Sequence, residues 1–202
     1  MKENQTSMER ILMEQKGVVN YSREPQFEVK PGIFIPVFID IKSTQSNHEI
    51  RRLITNRLAS KIGTEYDHIC GLESGGNYYA SAVGDSLGKP IVYFRKDNKA
   101  YGDRRRLVGI DPNPGDTIAI IDDVLATGAA ITEAIAYFSQ IGCKSDAYVI
   151  FNYRTDGEFE EILKRKILSL ANFPDLFKLA EDIGYWLPED IEYIKREILS
   201  YR

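Results

Sequence analysis

Along the chain, the spacing of apolar residues changes period several times, and each change marks an element. Met8, Ile11 and Leu12 recur at helical spacing and predict a short amphipathic helix from Ser7 to Gln15. Extended segments follow around Phe27–Val29 and Phe34–Asp40, with Pro31 and Gly32 forcing a turn between them. From Asn47 to Ile62, the residues Ile50, Leu53, Ile54, Leu58 and Ile62 line one helical face, and Arg51, Arg52 and Arg57 fall on the other. The chain then alternates. Apolar strands are predicted at His68–Leu72, Pro90–Phe94, Thr117–Ile121 and Ala147–Phe151, with helices at Gly75–Leu87 and Gly128–Ile141. Such alternation predicts βαβ units: an α/β protein with a central, mostly parallel sheet flanked by helices. The stretch Arg95 to Pro114 is too charged and glycine-spotted to be core, and the tail from Phe173 reads as two helices divided near Pro188.

Composition narrows the class without changing this picture. The 202 residues fit one domain with a small appendage, and 43% hydrophobic with 28% charged residues is ordinary for a water-exposed globular chain. A formal net charge of -4 argues against a broad electrostatic nucleic-acid surface, so no nucleic-acid partner is expected. No apolar run approaches the roughly 20 residues of a membrane span, and MKENQTSMER lacks a signal-peptide core. A cytoplasmic protein with no membrane partner is the expectation. Cys70 and Cys143 sit in apolar stretches and read as buried thiols; His48 and His68 lack metal-ligand spacing.

The most informative stretch is TIAIIDDVLATGAAITEA. The run Ile118-Ala119-Ile120-Ile121 is apolar on both faces, as a buried parallel strand requires. It ends in two adjacent carboxylates, Asp122 and Asp123, followed by Val124, Leu125, the small-residue loop Ala126-Thr127-Gly128-Ala129-Ala130, and a helix. In an open α/β sheet, ligands bind beyond the carboxyl ends of the strands. A loop opening a helix presents backbone N–H groups and the positive end of a dipole to a phosphate. Thr127 adds a hydroxyl, and two carboxylates suit the cis hydroxyls of a sugar, since each accepts two hydrogen bonds. A lone acidic pair is more often a polar strand end or a helix cap; the conjunction of buried strand, acidic pair, small loop and helix reads as a ribose-5-phosphate cradle. The GKS or GKT ending of a Walker loop and the GxGxxG fingerprint are both missing from it.

IIDDVLATGAA resembles the signature by which type I phosphoribosyltransferases bind 5-phosphoribosyl-1-pyrophosphate (PRPP). From about Phe27 to Arg154 the resemblance is to the orotate branch of that family. Phe27–Gly32 followed by Pro36–Asp40 is similar to its N-terminal base-pocket segment, Gly71–Gly76 to its glycine turn, and Arg95–Gly102 to its mobile catalytic loop. The resemblance implies one phosphoribosyltransferase domain over 1–202, with a small N-terminal hood (1–45), a PRPP-binding core (46–155) and a C-terminal strand and helices (156–202). It implies transfer of ribose 5-phosphate from PRPP to orotate in pyrimidine synthesis, with magnesium as cofactor and a homodimer in which the loop reaches into the partner subunit. Carried over residue by residue, Lys99, Asp122 and Asp123 are the catalytic set. PRPP contacts are expected from Arg95, Lys96, Lys99, Tyr101, the acidic pair, Val124, Leu125, Ala126, Thr127, Gly128, Ala129 and Ala130. The base is expected at Lys30, Phe38, Ile39, Ala126 and Arg154, and any metal near Asp122 and Asp123.

The chemistry of these residues suits the roles that the resemblance gives them, although Phe38 and Arg154 taken alone read as a core ring and a surface arginine. Arg95, Lys96 and Lys99 place three cations in five residues of a net acidic chain, which suits neutralising a pyrophosphate as it leaves. A polar segment such as Arg95–Pro114 suits a lid that excludes water; the Arg104–Arg106 run reads as merely solvated. Arg154 can hold a carboxylate through two parallel hydrogen bonds, Lys30 can add charge, and Phe38 can stack on a ring. The chain departs from the family pattern in carrying Tyr101 for a usual histidine, Ala126 for a usual threonine, Ala129 and Ala130 where a hydroxyl is common, and Pro31–Ile35 where an arginine is usual. These changes leave open a transferase for another nucleobase. A non-catalytic PRPP-binding regulator is the third alternative, disfavoured by the intact Arg95–Lys96–Lys99 cluster.

Overall fold

The computed structural model describes residues 6–30, 32–95, 106–154 and 165–200. The chain opens with helix α1 (Met8–Glu14), capped by the Ser7 hydroxyl on the Arg10 N–H. Four short strands follow: β1 (Val19–Tyr21), β2 (Phe27–Lys30), β3 (Ile33–Ile35) and β4 (Val37–Ile39). β2 and β3 form a hairpin across Gly32, whose φ of 77° the turn requires. β4 pairs antiparallel with β1, Val19 opposite Ile39.

The next helix, α2 (His48–Ile62), starts at Asn47, whose Oδ1 accepts the N–H groups of Glu49 (3.1 Å) and Ile50 (3.3 Å). The central sheet contains β5 (His68–Leu72), β6 (Ile91–Phe94), β7 (Leu107–Val108), β8 (Thr117–Leu125), β9 (Lys144–Asn152) and β10 (Ile167–Asn172), in the order β10-β9-β8-β5-β6-β7. β7 alone of these runs antiparallel to its neighbour. From β5 the chain proceeds outward to β6 by way of helix α3 (Gly75–Leu87), then returns to the other side of β5 for β8. It continues through helix α4 (Ala129–Gln140) to β9 and β10. The strand order therefore reverses between β5 and β8, where a crevice opens at the carboxyl ends.

β8 explains the double-sided apolar run. Ile118 and Ile120 join the cluster that contains Ile131, Ala134 and Phe138 of α4, while Ala119 and Ile121 join the cluster of Leu58, Tyr79 and Val83 on the opposite face. All four side chains are fully buried. At about 25 cal/mol per Å² of apolar surface removed from water, two such layers are the main favourable term holding the sheet.

The structure corrects the expected elements in three places. β8 continues through Leu125, so Asp122 and Asp123 lie within the strand, with Asp122 opposite Val149. Backbone pairing does not depend on side-chain polarity, and it carries on past the last apolar residue. Part of the polar Arg95–Pro114 stretch is core: Leu107 is 0% exposed and pairs with Phe94. Strand β1 had no signal strong enough to predict it, being three residues long and only partly buried, and β10, with Ile167 and Ala171 buried, was expected only as the C-terminal strand that the family resemblance implies.

Helix α5 (Phe173–Asp182) is capped by Asn172, whose Oδ1 accepts the Asp175 N–H at 2.9 Å, and it packs on α1 and β10. Helix α6 (Pro188–Ser200) turns back toward the N-terminal strands. There Asp190 accepts hydrogen bonds from the Tyr21 hydroxyl (2.7 Å) and Arg23 Nε (2.6 Å).

Candidate active site

Two helix N-termini and one acidic pair converge at the switch point. The turn after β5 is Glu73-Ser74, joined by a cis peptide bond, and α3 begins at Gly75. The glycines are required here by close approach. A β-carbon on Gly76 would lie 2.1 Å from the Ile121 carbonyl oxygen, and one on Gly75 would collide with the Asp123 carboxylate. The Asp123 carboxylate thus rests against the start of α3, at the positive end of its dipole. On the other flank, Gly128 precedes α4 with φ 71°, a left-handed conformation that favours glycine. Neither Ser74 nor Gly128 caps its helix with a side chain. First-turn N–H groups are the donors such a helix offers an anion. Thr127 Oγ1 sits 3.5 Å from the Ala129 N–H, at the edge of that first turn, and Ala129 and Ala130 are exposed.

Burial and the neighbouring Asp123 charge raise the Asp122 carboxyl well above the usual carboxylate range, an effect partly offset by Lys42. Lys42 belongs to the 3-10 turn Ile41–Ser46 that joins the N-terminal strands to α2. Asp122 Oδ1 accepts the Asp123 N–H (2.9 Å), and Asp123 Oδ1 accepts the Val124 N–H (3.0 Å), which fixes both carboxylates relative to the strand end. Two adjacent, partly accessible carboxylates of which one holds its proton readily are suited to accepting hydroxyl hydrogens or to sharing a cation.

The expected residues distribute as follows. Asp122, Asp123, Val124, Ala126 and Thr127 are half-buried at the end of β8, and Leu125 is buried with its side chain in the core. Arg95 closes β6 and donates its N–H to the Arg106 carbonyl at 2.8 Å. Lys96, Lys99 and Tyr101 lie outside the described residues, as does the side chain of Lys30. Phe38 is 37% exposed and stacks on Phe27, with centroids 5.9 Å apart and planes at 22°. The Ile39 side chain is buried (2% exposed), so what it offers is backbone. Arg154 follows β9 at the same edge of the sheet, its N–H held by Asn152 Oδ1 at 2.8 Å.

Arg106 departs from the solvated role expected of its run. Its guanidinium lies 4.5 Å above the centre of the Phe94 ring, donates twice to the Arg95 carbonyl (3.1 and 2.9 Å), and pairs with Glu133 of α4. Two further residues escaped the sequence reading. Lys42 had no motif around it, and Tyr153 lies past the predicted strand Ala147–Phe151 with no pattern to mark it; only the fold brings each to this edge.

An α/β sheet with an acidic pair, a small-residue turn and an exposed helix start at its switch point defines a sugar-phosphate-binding protein. Residues 41–182 match the phosphoribosyl transferase domain. The chain is 33% identical to the orotate phosphoribosyltransferase of Pyrobaculum aerophilum, over 87% of this chain and 89% of the relative. It is 29% identical to that of Streptococcus gordonii, over 93% and 91%. Among solved structures, the orotate phosphoribosyltransferase of Aeropyrum pernix superposes with a TM-score of 0.73 at 20% identity, covering 89% of this chain and 99% of that one, a likeness of fold. The chain belongs to the phosphoribosyltransferase family.

Proposed function

We propose that this protein is an orotate phosphoribosyltransferase, which converts orotate and PRPP to orotidine 5'-monophosphate and pyrophosphate in de novo pyrimidine (UMP) biosynthesis. The observation that carries the reading is the β8–α4 unit. Its acidic pair and open helix start lie together at the switch point, in a chain whose relatives of that name match over about nine-tenths of its length.

Asp122 and Asp123 accept the ribose hydroxyls and spread negative charge toward the ring as its anomeric carbon becomes oxocarbenium-like. The first turn of α4, with Thr127, binds the 5'-phosphate. Arg95, Lys96 and Lys99 neutralise the departing pyrophosphate, and Tyr101 donates a hydrogen bond near it. Phe38 stacks on the base, the Ile39 backbone and Ala126 border it, and Arg154 with Lys30 balances its carboxylate charge. The two carboxylates are hard oxygen donors. Among the described residues no three His, Cys, Asp or Glu side chains gather as a metal centre. This donor set fits a magnesium ion held mainly by substrate oxygens beside Asp122 and Asp123. When bound, that ion neutralises charge on the leaving group. A cytoplasmic homodimer completes the reading. It rests on the likeness of Arg95–Gly102 to a loop that serves a neighbouring subunit; among the described residues no helix is long and apolar enough to cross a membrane.

The test is orotate consumption in the presence of PRPP and magnesium, repeated with Lys99→Ala. Turnover by the parent and its collapse in the variant are expected. A parent that leaves orotate untouched, while binding a purine base in the presence of pyrophosphate, would sink the assignment.

A further inference from the structure

We infer that Tyr153 is the positioning residue of the base site, setting the distance between the N-terminal strands and the sheet edge on which the base is held. The inference rests on the orotate reading above and extends it to a residue that touches no substrate.

Tyr153 follows the last residue of β9 and is 6% exposed. It makes bonds in two directions. Its N–H donates to the Leu125 carbonyl at 2.9 Å, extending the β8–β9 pairing by one residue. Its hydroxyl accepts the Ile39 N–H at 2.7 Å, a buried bond spanning 114 positions of sequence. The ring cannot swing away from either bond, because Phe173 (4.7 Å, 84°) and Phe151 (5.5 Å, 78°) hold it edge to face.

The geometry of β4 makes this hydroxyl matter. The Asp40 N–H turns toward β1 and donates to the Val18 carbonyl at 2.8 Å. Successive N–H groups of a strand alternate in direction, so the Ile39 N–H faces away from β1, where the phenol takes the place a further strand would fill. A buried donor left without an acceptor carries a penalty well above the net value of one hydrogen bond. The strand is therefore held at the height the phenol sets.

Apart from Lys30, whose side chain lies outside the described residues, each residue assigned to the base lies within one position of these bonds. Ile39 donates to the hydroxyl, and Phe38 precedes it. Ala126 follows the acceptor Leu125, and Arg154 follows Tyr153 itself. One side chain thus ties the stacking ring, the backbone border and the guanidinium into a single frame. The acidic pair and the α4 start hang on bonds that do not pass through the phenol. Tyr153 should therefore govern the base and leave PRPP alone.

The experiment is Tyr153→Phe in the full chain, which keeps the ring and removes the acceptor. The expected result is a rise of about tenfold in KM for orotate, the scale of one orphaned buried donor, with KM for PRPP within about twofold of the parent. Hydrogen exchange of the Ile39 amide is expected to accelerate while amides of α4 keep the parent rate. Equal rises in both KM values, an orotate KM that does not move, or an Ile39 amide that stays protected would each overturn the inference. A parent inactive on orotate would instead overturn the base assignment beneath it, so the two failures are told apart by the parent alone.

Discussion

A β-carbon added to Gly75 would lie 2.0 Å from Oδ2 of Asp123 and 2.1 Å from its Cγ. The start of α3 and the second carboxylate of the acidic pair therefore share one space, and the smallest residue at position 75 is a condition for the carboxylate to stand where it does.

Gly75→Ala should push Asp123 off its position. Overpacking at such a contact costs roughly 1–3 kcal/mol, seen as a lower midpoint in urea unfolding. PRPP affinity should fall by about tenfold or more, since each factor of ten is only about 1.4 kcal/mol. Calorimetric titration with PRPP checks the second effect, and unchanged affinity would separate Asp123 from the sugar.

Asp122→Asn should stabilise the ligand-free protein while impairing it. The folded-state pKa of Asp122 is raised, so between the ordinary carboxylate value and that raised value the native state binds more protons than the unfolded state. Stability attributable to this group is thus present at low pH and lost as pH rises through that window. An amide has no charge to desolvate. The variant should melt higher than the parent at pH 7, with the gap closing below the ordinary carboxylate range, and should bind PRPP more weakly. A lower melting point at pH 7 would contradict the burial argument.

Asp190 runs the opposite way. The Tyr21 hydroxyl and Arg23 hold its carboxyl below the usual range, while burial, and after it the contact with Asp190, pushes Tyr21 up to about 12. Stability from Asp190 is present above the ordinary carboxylate pKa and lost as pH falls through the lowered folded value. Tyr21→Phe removes one hydrogen bond, worth roughly 1 kcal/mol, which is about 2–4 °C of Tm for a chain of this size. Thermal scans at pH 7 and in acid should show the deficit at pH 7 and its shrinkage in acid.

Arg106→Ala should loosen the base of the 95–106 segment. It removes the cation over the Phe94 ring, two bonds to the Arg95 carbonyl and the pair with Glu133. A loss of roughly 1–3 kcal/mol is expected from the orphaned carbonyl and lost packing, together with a fall in kcat larger than any change in orotate KM. Arg106→Lys keeps the charge but cannot reproduce the planar stack and fork, and should recover only part of either effect.

Much of this was legible in the sequence because local patterns report local physics. The boundaries of β5 and α3 follow from their apolar spacing, and the acidic pair with the Ala126–Ala130 turn stood out since buried strand, carboxylates and helix start are contiguous in the chain. The extension of β8 past its apolar run, and the short strand β1, were not legible: they depend on backbone bonds to partners distant in sequence. Arg106 read as one of three solvated arginines because nothing in a charge run distinguishes the member that meets an aromatic ring.

By itself the sequence determined that an α/β sheet would carry a phosphate-type turn behind two carboxylates, and which residues would form it. Only the tertiary structure decided that the start of α3 would press Gly75 against Asp123, that burial would make Asp122 hard to ionise, and that the Tyr153 phenol would hold Ile39 across 114 positions. Periodicity is a property of neighbours along the chain, whereas close approach, desolvation and cross-chain hydrogen bonds exist only once distant segments have been brought together.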